Sequence, residues 1–376
     1  MIGAEGYLTS SPPIKVGIRE RLEDFIVEEI PILFPSRETC ALIEKRGLST
    51  NAAVRKLASH FKIRRREITY AGMKDSRAIT RQWISLPISP HQLKNLNLGN
   101  LKVLQTKKGS VRFGQLEGNR FSIRLRCDTS YADQISETLN ELKQRGVPDF
   151  FGWQRFGSVR PNTHLVGWAA IEKEYEKAVD LYVGNPHPNE NEEVREARAL
   201  FDSGNLSGAL ALFPHYFVYE REMLKALING KSFKEAYQTL PEKMEMLMVG
   251  AAQAEVFNKI VSFRLPHTDE IWEGDLVKSR HRLFFAKNAD DWTEKAKTFQ
   301  VSATAPFGSC RFAQNSQGEL EKKLASKLPK GFRRTVRFQI KDINVRLDDG
   351  IVVEFTIPKG RYATAVIREL TKWEEK

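Results

Sequence analysis

Cysteine is scarce in this chain: Cys40, Cys127 and Cys310 are odd in number and far apart. They offer no disulfide framework and suit a reducing compartment, so a cytoplasmic location is expected. The seven histidines are scattered, without Cys-x-x-Cys or His-x-x-x-His spacing. That argues against structural zinc, and no metal is expected. Long apolar runs are also missing. The best, Met246 to Phe257, carries Gln253 and Glu255 and is far too short for a membrane span. Met1 to Ser11 lacks a basic stretch followed by an apolar one, so a secretory signal is not expected. No Gly-x-x-x-x-Gly-Lys-Ser/Thr loop, no Gly-x-Ser-x-Gly elbow and no Gly-x-Gly-x-x-Gly opening a helix occurs. P-loop, hydrolase and dinucleotide readings therefore have no support. No repeat or low-complexity segment stands out.

Acidic charge is the remaining deficit. Lysine and arginine total 59 against 47 acids, a net charge of +12. A basic surface can be merely solvated, but it also suits a polyanionic partner. The second reading gains weight because cations sit beside aromatics: Arg64-Arg65-Arg66 before Tyr70, Arg155 before Phe156, Arg361 before Tyr362. Cations neutralise phosphates and aromatics stack on bases, so Arg64, Arg65, Arg66, Arg155 and Arg361 are candidate RNA contacts.

At 376 residues the chain exceeds the usual size of one core, and two domains are expected. Residues 14 to 30 read as two short strands closed by Pro31. Thr50 reads as the N-cap of a helix with Ala53, Val54, Leu57, Ala58 and Phe61 on one face. Glu67 to Ala71, Ile79 to Leu86, Leu101 to Thr106 and Phe121 to Cys127 read as strands, with Gly118-Asn119 as a turn signal. A helix from Thr129 or Ser130 through Leu142 ends at Gly146. From Thr163 to about Leu265 the pattern is mostly helical, with a surface loop at 184 to 193. Trp272 to Phe285 and Phe299 to Phe307 hold β-like runs, and Glu319 to Leu328 is helical. Strand character returns at Thr335 to Val345 and Ile351 to Ile357, and Thr364 to Trp373 is a final element. The expected class is α+β. A mixed, mainly antiparallel sheet with flanking helices is built from residues 1–158 and 331–376, interrupted by a mainly helical α/β insertion at 159–330.

The segment Tyr70 to Gln82 sets Asp75 between Lys74 and Arg77, just after Gly72, in a loop between strands. Such charges are most often solvated or capping. A carboxylate held among cations is nonetheless kept ionised and presentable to a ligand. The carboxylates of Glu23 to Glu29 read more simply as an acidic strand end. The Trp153-Gln154-Arg155-Phe156-Gly157 loop suits a core corner or a stacking surface equally.

Taken in order, the motifs resemble the TruD family of tRNA pseudouridine synthases over nearly the whole chain. They are Glu23-Asp24-Phe25-x-Val27-x-Glu29, Lys45-x-Gly47-x-x-Thr50, Ala71-Gly72-x-Lys74-Asp75-x-x-Ala78-x-Thr80-x-Gln82, Gly118-Asn119-x-Phe121, Phe151-Gly152-x-Gln154-Arg155-Phe156-Gly157 and Pro358-Lys359-Gly360-x-Tyr362-Ala363-Thr364-x-x-x-Arg368-Glu369. The resemblance makes Asp75 the catalytic residue, with neighbouring Lys74 as a substrate contact. The family's basic partner, often lysine, falls on Arg19. Asn119 and Phe121 match its uracil-site positions, and Phe25 and Tyr362 match two further aromatics around the target base. Without the resemblance, Phe121 suits an inward core position and Asn119 a turn. Arg160-Pro161-x-x-His164-x-x-Gly167 looks like the archaeal and eukaryotic branch. Asp149 departs from the asparagine common there.

The implied reaction breaks the N-glycosidic bond of uridine, rotates the bound uracil and joins C5 to the ribose. It needs no cofactor. Asp75 could act at C1′, at uracil C6, or as a base at C2′. The implied partner is tRNA, foremost at uridine 13 of the D arm. Another RNA position, such as anticodon position 35 of a precursor or a ribosomal site, and a non-catalytic RNA-binding role are the alternatives. No obligatory protein partner is implied, and a monomer is expected.

Overall fold

The computed structural model describes residues 1–280 and 282–372. The chain divides into two compact units, Thr9–Val147 with Phe338 onward (the sheet unit), and Met1–Leu8 with Pro148–Arg337 (the inserted unit). These limits differ from 158/159 and 330/331. Residues 1 to 8 join the inserted unit because they bond the last long helix there: Asn258 Nδ2 donates to the Ile2 carbonyl at 2.7 Å and Ser262 Oγ to that of Gly3 at 3.2 Å.

The sheet unit opens with β1 (Gly17–Ile18), β2 (Phe25–Pro31), β3 (Phe34–Arg46), α1 (Thr50–Phe61), β4 (Thr69–Tyr70), β5 (Ile79–Leu86), α2 (Pro90–Leu93), β6 (Leu101–Ser110), β7 (Leu116–Arg126) and α3 (Ala132–Arg145). The chain passes to the inserted unit at β8 (Val147–Pro148). The helices there are α4 (Thr163–Ile171), α5 (Tyr175–Val183), α6 (Glu192–Asp202), α7 (Leu206–Leu212), α8 (Val218–Ile228), α9 (Phe233–Tyr237) and α10 (Glu242–Phe263). After them come β9 (Leu276–Ser279), β10 (Arg282–Phe285), α11 (Ala289–Lys297), β11 (Ser302–Phe307), α12 (Ser316–Ala325) and β12 (Phe332–Thr335). Past β13 (Arg337–Phe338) the sheet unit is completed by β14 (Lys341–Leu347), β15 (Ile351–Pro358) and α13 (Ala363–Thr371).

Among the described residues, nine strands form the large sheet. Its order is β14-β15-β7-β2-β5-β3-β6, with β1 on β7 and β4 on β5. Only β2 and β5 run parallel; the other pairings are antiparallel. The class is the expected α+β. The register aligns one row across it, polar at Lys45 and Thr80 and apolar beyond them. Val27 stands opposite both Thr80 and Phe121, Thr80 opposite Lys45, and Phe121 opposite Phe355. Helix α1 covers the β3–β5 side through Ala53, Val54, Leu57 and Ala58, packed with Ala41, Ile43, Ile84 and Leu86.

Three local expectations need correction. Ser49, not Thr50, caps α1: its side chain accepts from Ala52 N. Gly118 lies inside β7 rather than in a turn. A Cβ there would sit 2.2 Å from the Ile357 carbonyl oxygen, so glycine permits the close approach of β15. The 13-residue β3 has no counterpart in the sequence reading, because Arg37, Glu38, Glu44 and Lys45 break its apolar alternation.

In the inserted unit, Gly167 allows α4 to press on α10; a Cβ would lie 2.1 Å from the Met248 carbonyl oxygen. The helical core gathers Val166, Val179, Phe201, Phe213, Leu224 and Tyr237. The small sheet runs β10-β9-β11-β12. Asp149, the departure noted above, forms a two-point ion pair with Arg334, at 2.7 Å for both contacts. Arg264 and Asp275 form a second such pair, both fully buried, at 2.8 and 2.6 Å. Asp275 also accepts from Trp272 N and Asn315 Nδ2. Asp275→Ala would strand a buried guanidinium. We expect a loss of about 3–5 kcal/mol, read as a lowered denaturation midpoint of the full chain.

Candidate active site

Asp75 lies in the loop between β4 and β5. Its Oδ2 accepts from Arg19 Nη1 at 2.9 Å, and its Oδ1 accepts from Arg77 N at 2.9 Å. The two side chains of the ion pair are about one-quarter exposed, so the carboxylate is reachable. Arg19 follows β1 and adopts φ +60°, a left-handed conformation that costs a non-glycine residue roughly 1–2 kcal/mol. Its guanidinium lies 3.8 Å from the centre of the Phe25 ring. A strained backbone aiming a cation at one carboxylate is the kind of outlier that gathers at functional sites.

Beneath the loop is a layer of buried polar groups. Thr50, freed from capping, accepts from Lys74 N at 2.9 Å and donates to Gln82 Oε1 at 2.9 Å; Gln82 Nε2 in turn donates to the Gly72 carbonyl at 3.3 Å. Lys45, fully buried in β3, donates to the carbonyls of Leu48 at 2.6 Å and Asp75 at 3.1 Å. Burial pulls the Lys45 ammonium down to about 8; the charge of Asp75 opposes this and that of Lys74 adds to it. The sequence reading gave Lys45, Glu29 and Gln82 no role at the site and Thr50 only that of a helix N-cap. The available signal was a charged or amide residue at an inward strand position, where burial without partners is costly.

Lys74 does not point to a ligand: its Nζ sits 2.7 Å from the buried Glu29 carboxylate. The sequence placed it among substrate contacts, and the structure ties it to the floor of the loop. Asp24 is fully buried. Arg126 grips both its oxygens at 2.9 and 2.6 Å, and Arg21 N donates to it at 2.8 Å. Burial pushes the Asp24 carboxyl up, but these bonds and the Arg126 and Arg124 charges bring it below the ordinary carboxylate value. Its strand-end position thus anchors the turn carrying Arg19.

Asn119 and Phe121 sit two apart on β7 and share a sheet face. Phe121 and Phe25 are 7% and 4% exposed and meet edge to face with ring centres 5.9 Å apart; Phe121 also stacks on Phe355 at 5.6 Å. Both rings are thus core residues first. Asn119 Oδ1 is buried and finds no hydrogen-bond partner among the described residues. Tyr362, half-buried, is the residue before α13. Its turn leaves β15 beside the same end of β7, where Lys359 N donates to the Glu117 carbonyl at 3.0 Å.

The candidate RNA contacts separate. Arg64, Arg65 and Arg66 are exposed on the turn after α1. Arg155 belongs to the inserted unit, is half-buried, and donates through Nε to the Gly250 carbonyl at 3.2 Å. A Cβ on Gly250 would meet the Arg155 guanidinium, so Arg155 is a packing element. Arg361 is half-buried, and burial lowers its pKa to about 10; it is not a surface cation like the Arg64–Arg66 run. Among the described residues no group of three His, Cys, Asp or Glu could hold a metal, and no helix is long and apolar enough to cross a membrane.

The sequence profile of the family described as tRNA pseudouridine synthase D (TruD) matches residues 1–370. A tRNA pseudouridine synthase D from Geotalea daltonii is 37% identical, the alignment covering 97% of this chain and 99% of that one. A probable tRNA pseudouridine synthase D from Methanosarcina barkeri is 34% identical, covering 99% and 96%. The crystal structure of a putative tRNA pseudouridine synthase D from Methanosarcina mazei matches with a TM-score of 0.83 at 30% identity, over 99% of this chain and 97% of that one. The family profile spans nearly the whole chain and the relatives are matched over nearly their full length, so the chain belongs to the TruD family of tRNA pseudouridine synthases.

Proposed function

We propose that this protein isomerises uridine to pseudouridine in tRNA, at uridine 13 of the D arm, with Asp75 as the catalytic carboxylate and no cofactor. In this reaction the C1′–N1 bond breaks and a C1′–C5 bond forms. C5 gives up its proton and N1 gains one, so the product is an isomer and no second substrate is consumed. The observation that carries the reading is the Asp75 carboxylate. It is held on one oxygen by Arg19 and on the other by a backbone N–H, yet it stays partly open.

A uracil that has left its stack brings an N3–H donor between two carbonyl acceptors. Asn119 Oδ1 is a buried acceptor of the matching kind, and an unmet buried acceptor favours a ligand that supplies its hydrogen. Arg19 supplies a fixed counter-charge for Asp75, and Phe25 beneath it fixes the guanidinium plane. Uridine 13 is supported by the family resemblance, with the insertion as the part that would read the tRNA. The test is a carbodiimide-dependent primer-stop map on unmodified tRNA incubated with the protein. A new stop at position 13, lost when that uridine is replaced by cytidine, is expected. Stops only at other positions would overturn the site, and no stop on any tRNA would overturn the activity.

A further inference from the structure

Beside the catalytic loop, a cleft of about 580 Å³ opens between the first turns of α1 and the segment leading into β4. Asn51, Arg55, Arg65, Arg66 and Tyr70 form its polar walls, and Val54 and Ile68 form its floor. We propose that this cleft holds the RNA strand next to the target uridine, with phosphates on the three guanidinium groups and one flanking base against the Tyr70 ring.

Three observations carry this. First, Arg55, Arg65 and Arg66 are exposed, and among the described residues none of them has an ion pair or side-chain hydrogen bond. The nearest acid in sequence, Glu67, is engaged by Arg64 N at 2.8 Å. Three guanidiniums converging without a carboxylate repel one another, and a polyanion relieves that repulsion. Second, aromatic surface adjoins the cations. Tyr70 is half-buried, and Phe113, 76% exposed, meets it edge to face at 6.4 Å. Cation and ring side by side are what single-stranded nucleic acid requires, phosphate on one and base on the other. Third, the cleft is tied to the catalytic loop through consecutive residues of α1. Thr50 accepts from Lys74 N, and Asn51 Oδ1 accepts from the Tyr70 hydroxyl at 3.4 Å. Tyr70 and Asp75 lie on one continuous segment five residues apart, which spans at most about 18 Å when extended. A strand whose base enters at Asp75 therefore has its neighbouring nucleotides within reach of the cleft.

This site rests on the proposed reading as a tRNA enzyme and adds where the substrate strand runs. The test uses the full chain and an unmodified tRNA transcript. Kd is measured as a function of salt, and KM and kcat come from pseudouridine formation. Arg55→Ala, Arg65→Ala and Arg66→Ala combined should raise Kd and KM at least tenfold. The slope of log Kd against log salt should become shallower by about 2, as for three lost phosphate contacts on a single strand. Tyr70→Ala should raise Kd by roughly tenfold while Tyr70→Phe keeps wild-type affinity, since a ring suffices for stacking. Lys94→Ala, an exposed cation on the same unit, serves as the control and should leave Kd, KM and kcat at wild-type values. A wild-type Kd and salt slope in the triple arginine variant, with circular dichroism unchanged, overturns the cleft while leaving the catalytic reading intact. Loss of pseudouridine formation in the wild type overturns that reading, while the salt slope still reports on the cleft.

Discussion

Asp75→Asn should abolish pseudouridine formation, with a fall in turnover of the order of 10³–10⁴-fold, and leave folding and tRNA binding close to wild type. Asparagine has the same shape, and its single amide oxygen can still accept from Arg77 N while its NH2 takes the place of the oxygen that faces Arg19, so the loop keeps its course and only the Arg19 bond is lost. The Arg19–Asp75 pair is about one-quarter exposed and joined by a single contact at 2.9 Å. A pair of that kind contributes at most about 1 kcal/mol to stability. Its loss therefore cannot explain a collapse of activity through unfolding. The chemical loss is of another size, because an amide is neither a base nor a nucleophile at this pH. The measurement is single-turnover formation of pseudouridine on saturating enzyme, with thermal melting and filter binding alongside. Turnover within tenfold of wild type would remove Asp75 from the chemistry.

Arg19 gives a companion series. Because it touches Asp75 through one Nη atom only, Arg19→Lys should keep part of the activity, whereas a two-point contact would not tolerate the change. Arg19→Gly should relax the φ +60° backbone and still lose activity, separating the charge from the strain.

Much of the fold was readable from local pattern, and the failures share a cause. Strand β5 follows its apolar run from Ile79 to Leu86, and the helical middle follows its three- and four-residue spacing. Strand β3 does not follow from pattern, because the burial of Lys45 depends on carbonyls from residues 48 and 75 that meet it only after folding. The placement of residues 1 to 8 in the inserted unit depends on Asn258 and Ser262, some 250 positions away. No window on the sequence contains both. The site divides in the same way. A carboxylate among cations was visible at Asp75, but its meeting with Arg19 was carried by family resemblance, and the geometry supplies the contact. Lys74 and Arg155 looked available because exposure cannot be read from charge. Each has an internal partner: Glu29 for Lys74 and the Gly250 carbonyl for Arg155.

Lys45→Met should give the second large effect, on stability and turnover together. The ammonium is fully buried and bonds the carbonyls of Leu48 and Asp75, so it holds the backbone of the proposed catalytic carboxylate itself. Methionine fills similar space and leaves those carbonyls without that donor, at about 1–3 kcal/mol each. A displacement of Asp75 by about 1 Å would lower kcat by roughly 10²-fold. The pH dependence distinguishes this role from simple packing. Burial lowers the Lys45 pKa from 10.5 to about 8. Between those values the folded chain binds fewer protons at this site than the unfolded chain. The Lys45 contribution to stability therefore rises as pH climbs through that window, and its desolvation cost is fully present below about pH 8. Turnover should move the other way, because the neutral amine is a weaker donor to the Asp75 carbonyl and carries no charge opposite the carboxylate. An alkaline fall in kcat centred near pH 8 is expected in the wild type and should be absent from the residual activity of Lys45→Met. Lys45→Arg, charged throughout this range, should shift the fall to higher pH wherever its longer side chain is accommodated. A Lys45→Met variant with wild-type kcat and an unchanged pH profile would assign the residue to packing alone.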